Sequence, residues 1–282
     1  VASESGSHGV ATKKNNNTKR KPDWLDRLSI WMLLVGIGLI AYPTAADWWN
    51  SIHQTHMLTE YGQMVEDIDR PIKHEMLMQA RTYNQTLVDK EDRWNLTNTE
   101  NETYNHLLDP GKIGIMGSIS IPSLGITYPI YHGTSEGVLA VAIGHMPGSS
   151  LPTGGKGVHT ILSGHRGLPS AQLFTHLDRL KKGDHFQIET LDQKMLYEVD
   201  QIKTVLPGDD TYVQIDPNAD LCTLVTCTPF EVNTHRLLVR GHRIPLVDTS
   251  EPYAIPWPRI FLCIGLLIML IGQIVSKRRE QK

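Results

Sequence analysis

Two uncharged apolar runs bracket the chain, Leu28 to Ala46 between Arg27 and Asp47, and Ile260 to Ser276 between Arg259 and Lys277. In a helix, at ~1.5 Å per residue, each reaches roughly 25 to 28 Å, close to the hydrocarbon thickness of a bilayer. Both predict membrane spans. Between them the hydrophobic period changes. Met57, Tyr61, Met64, Val65 and Ile68 fall at helical spacing, and Ile72, Met76, Ala80, Tyr83 and Leu87 repeat it, which predicts two helices separated or kinked near Pro71. Asp89 to Asn101 is charged and carries Asn and Thr, so it reads as a loop; a short helical piece then takes Tyr104, Leu107 and Leu108 to a stop at Asp109-Pro110-Gly111. From Ile113 the spacing drops to two. Ile113, Ile115, Ile119 and Ile121 alternate with small or polar residues, the pattern of a strand with one buried face. Further strand candidates are Ile126 to Tyr131, Val158 to Ser163, His185 to Thr190, Met195 to Val205, Leu221 to Cys227 and Arg236 to Ile244. One helical insert, Ser170 to Lys182, shows a stripe of Leu173, Phe174, Leu177 and Leu180 and ends at Gly183. Many short strands with Gly and Pro punctuation predict a mainly β domain, a barrel or a sandwich.

Composition narrows the function classes. The chain has 282 residues, 40% of them hydrophobic, enough for one well-cored domain, and a net charge of −3 argues against nucleic-acid binding. Its basic residues gather at the ends: Lys13, Lys14, Lys19, Arg20, Lys21 and Arg27 before the first run, Lys277, Arg278, Arg279 and Lys282 after the second. By the positive-inside rule both termini are cytoplasmic and the intervening domain is extracellular, with Trp48, Trp49, Tyr253 and Trp257 suited to the interfacial aromatic belts. The predicted organisation is a basic tail (1–27), a transmembrane helix (28–46), a helical region (47–111), a β domain (112–247), a linker (248–259), a second transmembrane helix (260–276) and a basic tail (277–282). Thr44-Ala45-Ala46 would also suit a cleaved signal peptide, but the run is long for one and bulky Trp residues follow at once.

Cysteine placement then points to chemistry. Cys263 lies in the second apolar run, which leaves Cys222 and Cys227 in the extracellular domain. On an extended strand, five residues at ~3.3 Å separate these two by about 16 Å, beyond the ~7 Å that a disulfide tolerates between Cα atoms. A free thiol in an oxidising compartment is a functional signal. Cys227 ends one strand at the Thr228-Pro229 turn and Arg236 opens the return strand, so a thiol and a guanidinium meet at one end of a sheet. A cysteine nucleophile also needs an acid/base and donors for an oxyanion. Arg236 supplies fixed N–H donors, and Arg240 and Arg243 compete for that role from farther along the strand. For the acid/base, His165 stands in Gly-His-Arg-Gly where a strand stops; His132 and His145 have similar glycine contexts.

The segment Thr223-Leu-Val-Thr-Cys227 resembles the signature of sortases, the cell-surface transpeptidases of Gram-positive bacteria. Ile130-Tyr-His-Gly-Thr134, Gly144-His-Met-Pro-Gly-Ser-Ser-Leu-Pro152, Gly164-His-Arg-Gly-Leu-Pro169 and the stretch Thr226 to Gly241 are similar to class C, pilin-polymerising sortases in particular. The resemblance implies a sortase-type eight-stranded β-barrel with N-terminal helices and two flanking transmembrane helices. It assigns Cys227 as nucleophile, His165 as acid/base and Arg236 to the oxyanion and substrate positioning. The implied partners are pilin subunits bearing an LPXTG-like sorting signal and an acceptor lysine, with no metal or organic cofactor. Class C enzymes carry a lid with an Asp-Pro-aromatic tripeptide, the carboxylate on the catalytic Arg and the ring over the Cys. Here Asp92-Arg93-Trp94 matches it except for the middle residue, so Asp92 and Trp94 are the expected lid, loosened by the loss of proline's fixed φ. Two other functions remain open: anchoring of surface proteins to a peptidoglycan precursor, and a non-enzymatic membrane-tethered β-domain.

Overall fold

The computed structural model describes residues 24–168, 170–246 and position 265. The second apolar run, the linker before it and both basic tails (save Trp24 to Arg27) lie outside the described residues. The first run begins helix α1 (Trp24–Asp67). Arg27–Asp67 is long and apolar enough to cross a membrane, and its most apolar part is unburied. Two compact units divide the chain, with the first boundary inside α1 between Ile40 and Ala41.

Within the second unit, the end of α1 changes character. Tyr61 and Val65 are buried, Met57 packs against the core, and Gln54 donates from Nε2 to the carbonyl of Val141 at 2.9 Å. Helix α2 (Arg70–Val88) starts after a break at the expected place, with Asp69 as N-cap and Pro71 in the first turn, where a missing N–H costs nothing. Its buried face is Lys73, Leu77, Ala80, Asn84 and Leu87, rotated from the expected stripe, and Ile72 is exposed. Two polar residues set that rotation. Lys73 pairs with Asp192 at 2.8 Å, and Asn84 bonds the backbone of Leu151 in both directions, donating to its carbonyl and accepting from its N–H. Helix α3 (Asn98–His106) begins inside the stretch expected to be a loop, because Thr97 and Glu100 form a capping box.

The β domain is a closed eight-stranded barrel. In chain order the elements are β1 (Ile115–Ile121), β2 (Ile126–His132), a single turn α4 (Glu136–Leu139), β3 (Ile143–His145), β4 (Val158–Ser163), β5 (His185–Thr190), β6 (Gln193–Val205), β7 (Asp220–Thr228) and β8 (His235–Ile244). Around the barrel they run β1-β2-β3-β4-β7-β8-β6-β5. The β2–β3 and β4–β7 pairs are parallel, and the other pairs are antiparallel. Phe186 and Tyr197 stack in the core with centroids 5.4 Å apart, beside Gly241, where a Cβ would lie 2.7 Å from the Phe186 ring.

Ser170 to Lys182 is not an α-helix. Leu173 has φ +39, and the hydrogen bonds that follow span three residues, from Leu177 N to Phe174 O and from Leu180 N to Leu177 O. Leu173, Phe174, Leu177 and Leu180 are all buried, so the apolar stripe serves a chain of turns with one 3₁₀ turn at Leu177–Arg179.

Candidate active site

Strand β7 places its side chains alternately. Cys222 and Leu224 belong to the main core, Val225 belongs to a second cluster with Ile161, Val205, Val213 and Leu238, and Cys227 shares the face of Val225. Across the antiparallel ladder Cys227 stands opposite Arg236, two positions beyond the Val225–Leu238 pair. On the other side β4 runs parallel, with Ser163 level with Val225. The ladder continues past Ser163: Gly164 N donates to Val225 O at 3.1 Å, and Thr226 Oγ1 donates to Gly164 O at 2.8 Å. His165 follows Gly164, just past the end of β4, on the side of β7 away from Arg236. Cys227, His165 and Arg236 are all half-buried. Glycine is required at 164, since a Cβ there would lie 2.7 Å from both Ile143 Cδ1 and the Phe174 ring.

The competing residues are committed elsewhere. Cys222 is fully buried, and burial, reinforced by Asp220, pushes its thiol well up, so it stays protonated. His145 is fully buried between Tyr104 Oη, 2.9 Å from Nδ1, and Ser150 O, 2.9 Å from Nε2. Both ring nitrogens of His132 face carbonyls, Gly114 O at 3.1 Å and Leu107 O at 2.7 Å. Arg240 makes two bonds to Asp200, at 3.0 and 2.8 Å, and Arg243 donates to Lys194 O at 3.1 Å. Arg236 donates from Nη1 to the carbonyls of Asn233 and His235, at 3.2 and 3.1 Å, which ties its guanidinium back to the turn.

A sortase domain profile matches residues 119–244. Sortase C1 of Streptococcus agalactiae is 48% identical with a TM-score of 0.66, the match covering 68% of this chain and 100% of that one. The chain belongs to the sortase family. Sortase C of Streptococcus pneumoniae, a structure described in terms of catalysis and pilin substrate specificity, is 40% identical with a TM-score of 0.60, covering 68% of this chain and 97% of that one. Among curated relatives, sortase A of Streptococcus agalactiae serotype III (strain NEM316) is 30% identical over 130 residues, 45% of this chain and 52% of the relative. The chain thus spans about half the length of that curated relative.

The segment carrying Asp92 and Trp94 lies over the same face of this sortase barrel. Trp94 packs against the cluster of Ile161, Val225 and Leu238, and its Nε1 donates to Asp210 Oδ2 at 3.0 Å. Asp92 does not reach Arg236; its carboxylate accepts from Asn95 Nδ2 at 2.6 Å. The anchor is instead Arg93, 3% exposed, which donates to Val213 O at 2.7 Å and Gly148 O at 3.4 Å and lies 4.1 Å from the Trp94 ring centroid. The freedom gained by losing proline is thereby offset by contacts that proline cannot make. Asp210 and Val213, the partners of this segment, lie far along the chain from it and carry no local signal that links them to it. Among the described residues no three His, Cys, Asp or Glu side chains converge as a metal site.

Proposed function

We propose that this chain is a membrane-anchored cysteine transpeptidase that polymerises pilins. The observation that supports the reading is the ladder that sets Cys227 opposite Arg236, while on the other side of β7 strand β4 ends at Ser163, paired with Val225, two residues before His165. Cys227 Sγ attacks the Thr carbonyl of an LPXTG-like sorting signal. Arg236 donates to the oxyanion that forms, and His165 gives a proton to the departing Gly amine, leaving a thioester on Cys227. A lysine amine of the next pilin attacks the thioester, His165 takes the proton it loses, and an isopeptide bond forms as Cys227 leaves as the thiolate. The similarity to sortase C structures favours a pilin lysine over a peptidoglycan precursor as acceptor. Asp92 and Trp94 act as the lid, held by Arg93 rather than by a contact from Asp92 to Arg236. The unburied apolar part of α1, the second apolar run and the basic clusters at both ends support a two-pass topology with the β domain outside.

Mass spectrometry of products formed with candidate pilin subunits tests the reading. A cross-link from the sorting-signal Thr to a lysine Nζ is expected; transfer to a cell-wall precursor amine alone would replace pilin polymerisation with anchoring.

A further inference from the structure

Arg166 follows the proposed acid/base directly, and its side chain is 8% exposed. The two arms of its guanidinium diverge. Nη2 donates to Asp178 Oδ2 at 2.6 Å, and Nη1 donates to Thr228 Oγ1 at 3.2 Å. Thr228 is the neighbour of Cys227, as Arg166 is of His165, so this one bond ties the residue after His165 to the residue after Cys227. The guanidinium also lies 5.8 Å from the Phe230 ring centroid, and Phe230 in turn seats on Gly167, where a Cβ would lie 3.0 Å from the ring. Asp178, whose side chain is 47% exposed, sits in the 3₁₀ turn Leu177–Arg179, whose Leu177 is fully buried. Nε is buried without a hydrogen-bond partner, so the two Nη contacts are what hold the guanidinium, and a lysine ammonium has no planar fork with which to reach two acceptors in these directions.

We propose that Arg166 is a positioning residue that braces the His165 loop against the end of the Cys227 strand and so holds the acid/base at the nucleophile. This rests on the transpeptidase reading above. Because Arg166 is buried, it acts through its two neighbours and not on the substrate. Misplacement of a reacting group by about 1 Å can lower a rate by roughly 100-fold. Loss of the brace therefore lowers kcat and leaves sorting-signal binding nearly intact.

The test compares Arg166→Gln, Arg166→Lys and Asp178→Asn with the wild-type full chain in detergent micelles. Two probes are used, a sorting-signal peptide with its scissile amide and the same peptide with a nitrophenyl ester at that bond. The amine leaving group needs a proton from His165 and nitrophenolate does not. Arg166→Gln should lower kcat on the amide by roughly 10- to 100-fold with KM within about twofold, and should affect the ester much less. Arg166→Lys and Asp178→Asn should fall in the same direction by smaller factors. Melting temperature is read in parallel, and if Arg166→Gln is unfolded the two milder variants carry the comparison. Amide cleavage at the wild-type rate, or equal losses on amide and ester, would overturn the brace. Failure of the wild-type chain to cleave either probe would instead sink the transpeptidase reading on which the brace depends.

Discussion

Lowering the pH from 7 to 5 should destabilise the fold by about 4 kcal/mol through two buried histidines. His145 is pushed down from 6.5 to about 3, first by burial and further by His132, against a bond to Ser150 O that opposes the shift. His159 is pushed down to about 4, again first by burial and further by Arg93 and Arg240, against a bond to Gln214 O. Both rings are therefore neutral in the fold. His145 accepts from Tyr104 Oη and donates to Ser150 O, and His159 accepts from Thr223 Oγ1 at 2.8 Å and donates to Gln214 O at 2.7 Å. In the unfolded chain each binds a proton below pH 6.5, so stability is full above 6.5 and falls as the pH drops toward the folded values. At pH 5 the unfolded state gains about 1.5 pH units of protonation free energy at each site, and at about 1.4 kcal/mol per unit the loss is about 2 kcal/mol per histidine. Urea unfolding followed by Trp fluorescence reads it; for a slope of about 2 kcal/mol per M the midpoint drops by about 2 M. His159→Gln keeps one donor and one acceptor and should lose about half of this pH dependence. An unchanged midpoint between pH 7 and 5, or a His159→Gln variant with the full wild-type slope, would refute the reasoning. Gln214 lies on the β6–β7 connection that also carries Asp210 and Val213, so acid loosens the same connection that holds the Arg93 and Trp94 segment.

Other expectations follow from single contacts. Gly148 has φ +85 and a Cβ there would collide with the Arg93 carbonyl, so Gly148→Ala should lift the Arg93–Trp94 segment and, if that segment covers the thiol as proposed, speed iodoacetamide labelling of Cys227 several-fold; an unchanged rate would mean that the segment does not guard the thiol. Under native conditions iodoacetamide should label Cys227 and spare the buried Cys222, as peptide mapping of the alkylated chain will show. Tyr104 Oη meets the Gly133 N–H at 3.0 Å and His145 Nδ1, so Tyr104→Phe strands buried polar groups and should cost about 1–3 kcal/mol in urea unfolding.

The strands were the most legible part of the fold, because alternation survives wherever one face is buried. Val158 to Ser163 and His185 to Thr190 match the observed β4 and β5 limits, and the other predicted strands differ by a residue or two at their ends. Strand β3 was not legible: it has three residues, one of them Gly144, too few to show a period. The α2 face misled because Lys73 and Asn84 are buried through specific partners far along the chain, and periodicity scores only apolar residues. The turns at 170–182 misled for the opposite reason, since an apolar spacing of three and four also suits successive tight turns.

At the site, the opposition of Cys227 and Arg236 was legible as a hairpin. The choice among His132, His145 and His165 was not, because all three stand beside glycines; burial sets His145 apart, and the carbonyls against both ring nitrogens set His132 apart. Arg166 joins segments 62 residues apart and leaves no local signature.

The most direct test of the central claim is to trap the acyl-enzyme. The chain is quenched in acid during turnover of a sorting-signal peptide and mapped by mass spectrometry. The peptide ending at Thr should be found on Cys227 as a thioester that hydroxylamine releases, with no such adduct on Cys222 and no cleavage by Cys227→Ala. Peptide cleavage by Cys227→Ala, or an adduct on any other residue, would contradict the account.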